Sequence, residues 1–283
     1  MTPQTTTHEA MIDIRLASAM RGLLPRGALS LTLMRAEMHF SMRYLTVHVV
    51  ALACLAGCRG AGSSERSVVP STVPVDHVIL AIDSLDRGID LLRNATGITP
   101  TQGGVHPGRG TQNALLGLGQ GRYLELIAPN PDDTAASARA TAATRGAYFS
   151  QFRSLTPIGW AVHVSDVGAE RARLLRAGLR PGPITPGSRA TGDRRLLRWQ
   201  TLNPWGQERG VLPFVIAWDA TTPHPSATAP AGCVLSGLQI VSPSADSLRS
   251  AFVRAGWPVS IVRGAPEHLE LTLACPDGAR RFP

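Results

Sequence analysis

Aromatic side chains are scarce in this sequence, at 5% of 283 residues. Basic residues never run five in succession, and no aromatic side chains interleave with them. That excludes a stacking platform for nucleic acid, although the formal net charge is +8 and carried by arginine rather than lysine. Nucleic acid is therefore not expected as a partner. No apolar run reaches the roughly 20 residues that a membrane-spanning helix takes. Neither a phosphate-cradling glycine loop nor a serine-hydrolase elbow is present. There are only four cysteines, and they show no metal-ligand spacing. What is present is 43% hydrophobic residues, enough for a globular core, with 28 Gly and 22 Pro. That mixture predicts many short elements joined by turns.

Residues 42–58 read MRYLTVHVVALACLAGC. A Met and an Arg precede an apolar run that suits the core of a secretory signal. The run closes on Leu55-Ala56-Gly57-Cys58, which resembles a bacterial lipobox. The resemblance implies lipidation of Cys58, export, and membrane anchoring at the periplasmic or cell-surface side. Residues 58–73 then serve as a tether. Residues 1–41 precede the signal. They are either upstream of a true start at Met38 or Met42, or a basic presequence punctuated by Arg15, Arg21, Arg26 and Arg35. Cys233 and Cys275 remain. Both fall on predicted strands of one unit, and an oxidising compartment would permit a disulfide between them.

The rest of the chain, residues 74–283, reads as three units of β-α-β-β-β order, at about 74–130, 158–220 and 231–283. In the first, VDHVILAI (Val75–Ile82) is a strand. Leu85–Asn94 is a helix, with Leu85, Ile89 and Leu92 at helical spacing. A glycine-rich turn from Gly103 to Gly110 leads to strands at Asn113–Leu118 and Tyr123–Ala128. The phrases LLRNATG, RLLRAG and AFVRAG end each helix on a glycine, Gly97, Gly178 and Gly256. The prediction is an α+β fold with curved mixed sheets, each helix covering one sheet face and leaving a concave cleft on the other.

The β-α-β-β-β unit resembles the building block of the vicinal-oxygen-chelate superfamily. GGVHPGRGTQNALLGLGQGRYLELIAP (Gly103–Pro129) and GVLPFVIAWDATTPHPS (Gly210–Ser226) resemble its glyoxalase-like members. The resemblance implies metal ligands on the first and last strands of paired modules. Alternation supports the same place independently. Val78, Leu80, Ile82, Leu124, Leu126 and Ala128 need the buried face, so His77 and Glu125 take the other. A carboxylate inside YLELIA must be paired, protonated or metal-bound. Glu125 could equally meet an arginine such as Arg109 or Arg122, and His77 a backbone carbonyl.

By resemblance, His77 and Glu125 are the first-unit candidate ligands for Zn²⁺, Fe²⁺ or Mn²⁺; the set is completed only if a further histidine moves in, with His163 the candidate and His106 or His224 the alternatives. Glu125 and His106, the latter in the glycine-rich loop, are the candidate catalytic residues. The second unit departs from the pattern. Gly159 stands opposite His77 and Phe214 opposite Glu125. His163 matches Ala81, roughly 13 Å along the strand. His224, between two prolines, reads as structural. Two functions follow: a metal-assisted lyase or dioxygenase acting on a small oxygenated substrate, or a non-catalytic protein that binds a small, antibiotic-like molecule.

Overall fold

The computed structural model describes residues 74–106, 109–133, 148–149, 151–191, 195–206 and 210–283. The 42–57 run, Cys58 and the 58–73 segment lie outside them. Among the described residues no helix is long and apolar enough to cross a membrane.

The first unit is β1 (Val75–Ala81), α1 (Leu85–Thr96), β2 (Thr101–His106), β3 (Thr111–Gly117) and β4 (Tyr123–Pro129). The second is β5 (Thr156–His163), α2 (Val167–Arg176), β6 (Ile184–Ala190), β7 (Leu196–Leu202) and β8 (Phe214–Trp218). In each, the last strand runs parallel to the first, β4 beside β1 and β8 beside β5. Antiparallel pairing of β1 with β5 fuses the two into one eight-stranded sheet of order β2-β3-β4-β1-β5-β8-β7-β6. The sheet curls until its edge strands meet, where Arg189 on β6 donates to the Gly103 carbonyl on β2. The expected α+β fold, with mixed sheets curved around a cleft, is the observed one.

Two strands were not legible beforehand. Part of the glycine-rich turn expected from Gly103 to Gly110 is the strand β2, and the sequence pattern does not mark β6. The glycines of β2 reflect crowding rather than a turn. A Cβ on Gly103 would lie 2.4 Å from Asn113 Oδ1, and one on Gly104, at φ +131°, 3.1 Å from the Ala190 carbonyl.

The third segment comprises β9 (Val234–Ser242), α3 (Ala245–Ala255), β10 (Ser260–Arg263), β11 (His268–Cys275) and β12 (Gly278–Phe282). Its element order matches the other two, but its sheet does not. The strand order is β10-β9-β11-β12, so the first strand pairs with the second and third rather than with the last. It is not a third copy of the barrel half. Element order is set by local hydrophobic periodicity, whereas strand order depends on which partner each edge finds.

The third segment serves the core instead. On the convex side α1 covers β3 and β4, α2 adjoins β7 and β8, and β11 lies beside β5. Trp160 of β5 stacks on Phe252 of α3 with ring centroids 6.2 Å apart, and Trp205 closes on the same ring at 4.9 Å. Leu80, Leu126, Val162, Ile240, Leu271 and Leu273 belong to the single large core so formed. Cys233 and Cys275 form a disulfide across the start of β9 and the end of β11, Cα atoms 4.2 Å apart. Gly97, Gly178 and Gly256 all take positive φ, which is why each helix stops there.

Candidate functional site

The concave face collects the polar side chains. Parallel pairing sets His77 against Tyr123 and Ile79 against Glu125, so His77 and Glu125 project into the same cleft. His77 Nε2 lies 3.9 Å from Glu125 Oε2. His106, from the end of β2, brings its Nε2 to 3.5 Å from Glu125 Oε1 and anchors its Nδ1 on Thr111 Oγ1 at 2.8 Å. Asn113 on β3 donates to Glu125 Oε1 at 2.6 Å. Its own Oδ1 is buried without a hydrogen-bond partner. Burial pushes the Glu125 carboxyl up. The imidazoles of His106 and His77, the Asn113 amide and the more distant Arg189 outweigh that and hold it below the ordinary carboxylate value. Glu125 is thus an ionised carboxylate inside the barrel. Its charge is met by these groups rather than by an ion pair with Arg122.

His163 does not join this group. It belongs to a second cluster built around Asp76, a residue not singled out in the sequence. Strict alternation puts Asp76 on the face opposite His77. A bulge overrides it. Val75 pairs with Val162 and His77 with Ala161, so Asp76 is the extra residue of β1 and its side chain turns inward. There the carboxylate takes one N–H on Oδ1, from His77 Nδ1 at 2.7 Å. Oδ2 takes three: His163 Nδ1 at 2.9 Å, Trp218 Nε1 at 3.0 Å and His224 Nε2 at 3.2 Å. The signal for Asp76 was the one used for Glu125, a carboxylate inside an otherwise apolar strand.

Burial raises the Asp76 carboxyl, but the bonds from His163, His224 and His77 hold it far below the usual carboxylate range. The same bond to Asp76 raises His163. Burial, with the charges of Glu125 and Asp76, pushes the Tyr123 phenol well up, so it stays neutral. Tyr123 stacks on His77, and its ring meets the edge of His224 at 5.6 Å. His224 is accordingly a member of the site and not only a linker residue. Nothing local distinguished it; the segment after β8 folds back and delivers it. Phe214, opposite Glu125 in the unit alignment, sets its ring edge-on to His77 at 5.5 Å.

Asp76, His163 and His224 each offer one ligand atom within 4.8 Å of the others. Two imidazoles and a carboxylate make a donor set suited to Zn²⁺, Fe²⁺ or Mn²⁺. Trp218 and His77 orient the carboxylate from behind, as groups around a metal ligand do. The side chain of His163 is 47% exposed, so the set is open on one side. The residues present therefore fit an ion, with one requirement. Ser226 N–H points at His224 Nδ1 from 3.2 Å, which places the proton of the neutral ring on Nε2. That proton, and the one on His163 Nδ1, occupy the positions an ion would take.

A family model described as a glyoxalase-like domain matches residues 75–256. No curated protein matches the chain. Among solved structures, a hypothetical protein from Staphylococcus aureus aligns with TM-score 0.54 at 16% identity, over 74% of this chain and 98% of that one. Methylmalonyl-CoA epimerase from Mycobacterium tuberculosis aligns with TM-score 0.36 at 22% identity, over 58% of this chain and 98% of that one. The first likeness speaks for the fold alone, and the second carries no argument.

Proposed function

Because the chain belongs to the glyoxalase-like domain family, we propose that the concave face of its barrel is the active site of a metal-assisted lyase or dioxygenase acting on a small oxygenated substrate. The observation that carries this is the convergence of His163 and His224 on Asp76 Oδ2. Asp76, His163 and His224 would hold the divalent ion, which supplies Lewis-acid polarisation of a substrate oxygen when bound. This set differs from the His77, Glu125 and His163 candidates read from the sequence, since His163 bonds Asp76 rather than Glu125.

The remaining roles belong to the chain's own side chains. Glu125 is ionised at neutral pH and takes a proton from the substrate on Oε2, since Oε1 is engaged by Asn113. His106 and His77 flank that carboxylate and stabilise it before the transfer. His77, held through Nδ1 by Asp76, links the base to the ion site. Tyr123, Phe214 and Trp218 wall the cleft and limit water.

Metal content tests the reading. The chain is loaded with Zn²⁺, Fe²⁺ or Mn²⁺, desalted and assayed by mass spectrometry, beside His163→Ala and Asp76→Asn. Stoichiometric metal in the wild type and none in either variant is expected. Ion uptake requires the hydrogens on His163 Nδ1 and His224 Nε2 to shift to the other nitrogen of each ring, and it releases a proton to solvent only from a ring that starts as imidazolium. A wild type that retains no metal overturns the metal-assisted reading. One observation favours the rival, non-catalytic binding of a small molecule: Gly159 and Phe214 occupy the second-unit positions where paired modules carry ligands.

Anchoring through Cys58 is proposed on the lipobox alone. Mass spectrometry of a membrane fraction should find a lipidated amino-terminal Cys58. A soluble protein that retains residues 42–57 rules it out.

A further inference from the structure

A second pocket on the concave side has a cationic wall. Arg189 of β6 is 5% exposed. Among the described residues its guanidinium makes one hydrogen bond, to the Gly103 carbonyl, and no carboxylate lies at ion-pair distance. Glu125 acts on it only through longer range. A guanidinium has five N–H donors, and burying it without a counter-charge is costly. The pocket that Arg189 lines also receives Arg195 and the polar side chains of Thr101, Thr191 and Thr228. None of the described residues that line it is acidic. Leu115, whose β3 position pairs with Glu125 on β4, lines it as well, so the pocket adjoins the proposed base.

We propose that this pocket binds an oxyanion, a carboxylate or a phosphate, carried by the substrate of the neighbouring site. The planar fork of Arg189 suits either group, and an oxyanion supplies the missing counter-charge. Arg195, exposed at the rim, adds charge, and the hydroxyls of Thr101 and Thr228 can donate to the remaining oxygen lone pairs, while that of Thr191 is given to the Arg195 carbonyl. The glycines of β2 hold the Arg189 backbone and guanidinium close, since a Cβ on Gly104 would lie 3.3 Å from Arg189 Nη1. The substrate class is thereby narrowed to small oxygenated acids or phosphate esters. Only the assignment of the anion to a substrate rests on the proposed function; the pocket's anion affinity does not.

The test is calorimetric titration of the metal-free chain with inorganic phosphate and, separately, with malonate. Binding of malonate alone identifies a carboxylate site, and binding of phosphate alone a phosphate site. Arg195→Met, which changes an exposed residue, should weaken the bound anion by roughly tenfold. Arg189→Met should abolish binding while a thermal melt reports whether the barrel survives. His163→Ala, which removes a proposed metal ligand, should leave anion affinity unchanged, so failure of the metal reading and failure of this one are separable. If the wild type binds neither anion, or Arg195→Met binds as the wild type does, the inference is wrong.

Discussion

Replacing Asp76 by Asn isolates the hub of the barrel. The amide keeps the shape of the carboxylate and loses its charge. Asp76 accepts four N–H bonds, from His77 at 2.7 Å, His163 at 2.9 Å, Trp218 at 3.0 Å and His224 at 3.2 Å, while only 1% exposed. A hydrogen bond to a charged group contributes about 1.5–3 kcal/mol and a neutral one about 0.5–1.5. Neutralisation therefore costs about 1 kcal/mol per bond, or about 4 in all. In addition, one oxygen becomes an NH₂ facing a donor. Relief from burying a charge offsets part of this. We expect metal-free Asp76→Asn to lose about 2–4 kcal/mol in urea unfolding followed by tryptophan fluorescence. The pH dependence adds a second reading. Asp76 is depressed, so its contribution is present above the ordinary carboxylate value of 3.8 and fades as pH falls towards its folded value. His163 is raised, so its contribution is complete below its ordinary value of 6.5 and fades as pH rises through the folded value. The wild-type advantage should therefore shrink on the alkaline side. A loss under about 1 kcal/mol, or one independent of pH above 6.5, would refute the hub.

Other positions give separate checks. Gly103→Ala would put a Cβ 2.4 Å from Asn113 Oδ1, and Asn113 holds Glu125. Turnover or ligand affinity should fall more than the melting temperature does. Phe252→Ala empties the space against Trp160 and Trp205 and should cost about 3–5 kcal/mol in chemical denaturation, with metal stoichiometry intact. Replacing both Cys233 and Cys275 by Ala opens a link of sequence separation 42. It should cost about 2–4 kcal/mol, measured under non-reducing conditions against the wild type.

Much of the architecture follows from sequence pattern alone. Alternation in VDHVILAI and YLELIA sorts Leu80 and Leu126 to the core and His77 and Glu125 to the cleft, because a strand has only two faces. The glycines after each helix mark its end, because αL backbone favours a residue without a Cβ. The core of the site was not legible in this way. Asp76 reaches the cleft only because pairing of β1 with β5 inserts a bulge at that residue. His163, His224 and Trp218 then meet it from positions 87, 148 and 142 residues away. The swap of strand order in the third segment, and the closure of β6 on β2, likewise depend on edges that find partners far along the chain. Periodicity is a local property of the backbone. Convergence on one carboxylate oxygen is a property of the folded barrel, and only the tertiary structure decides it.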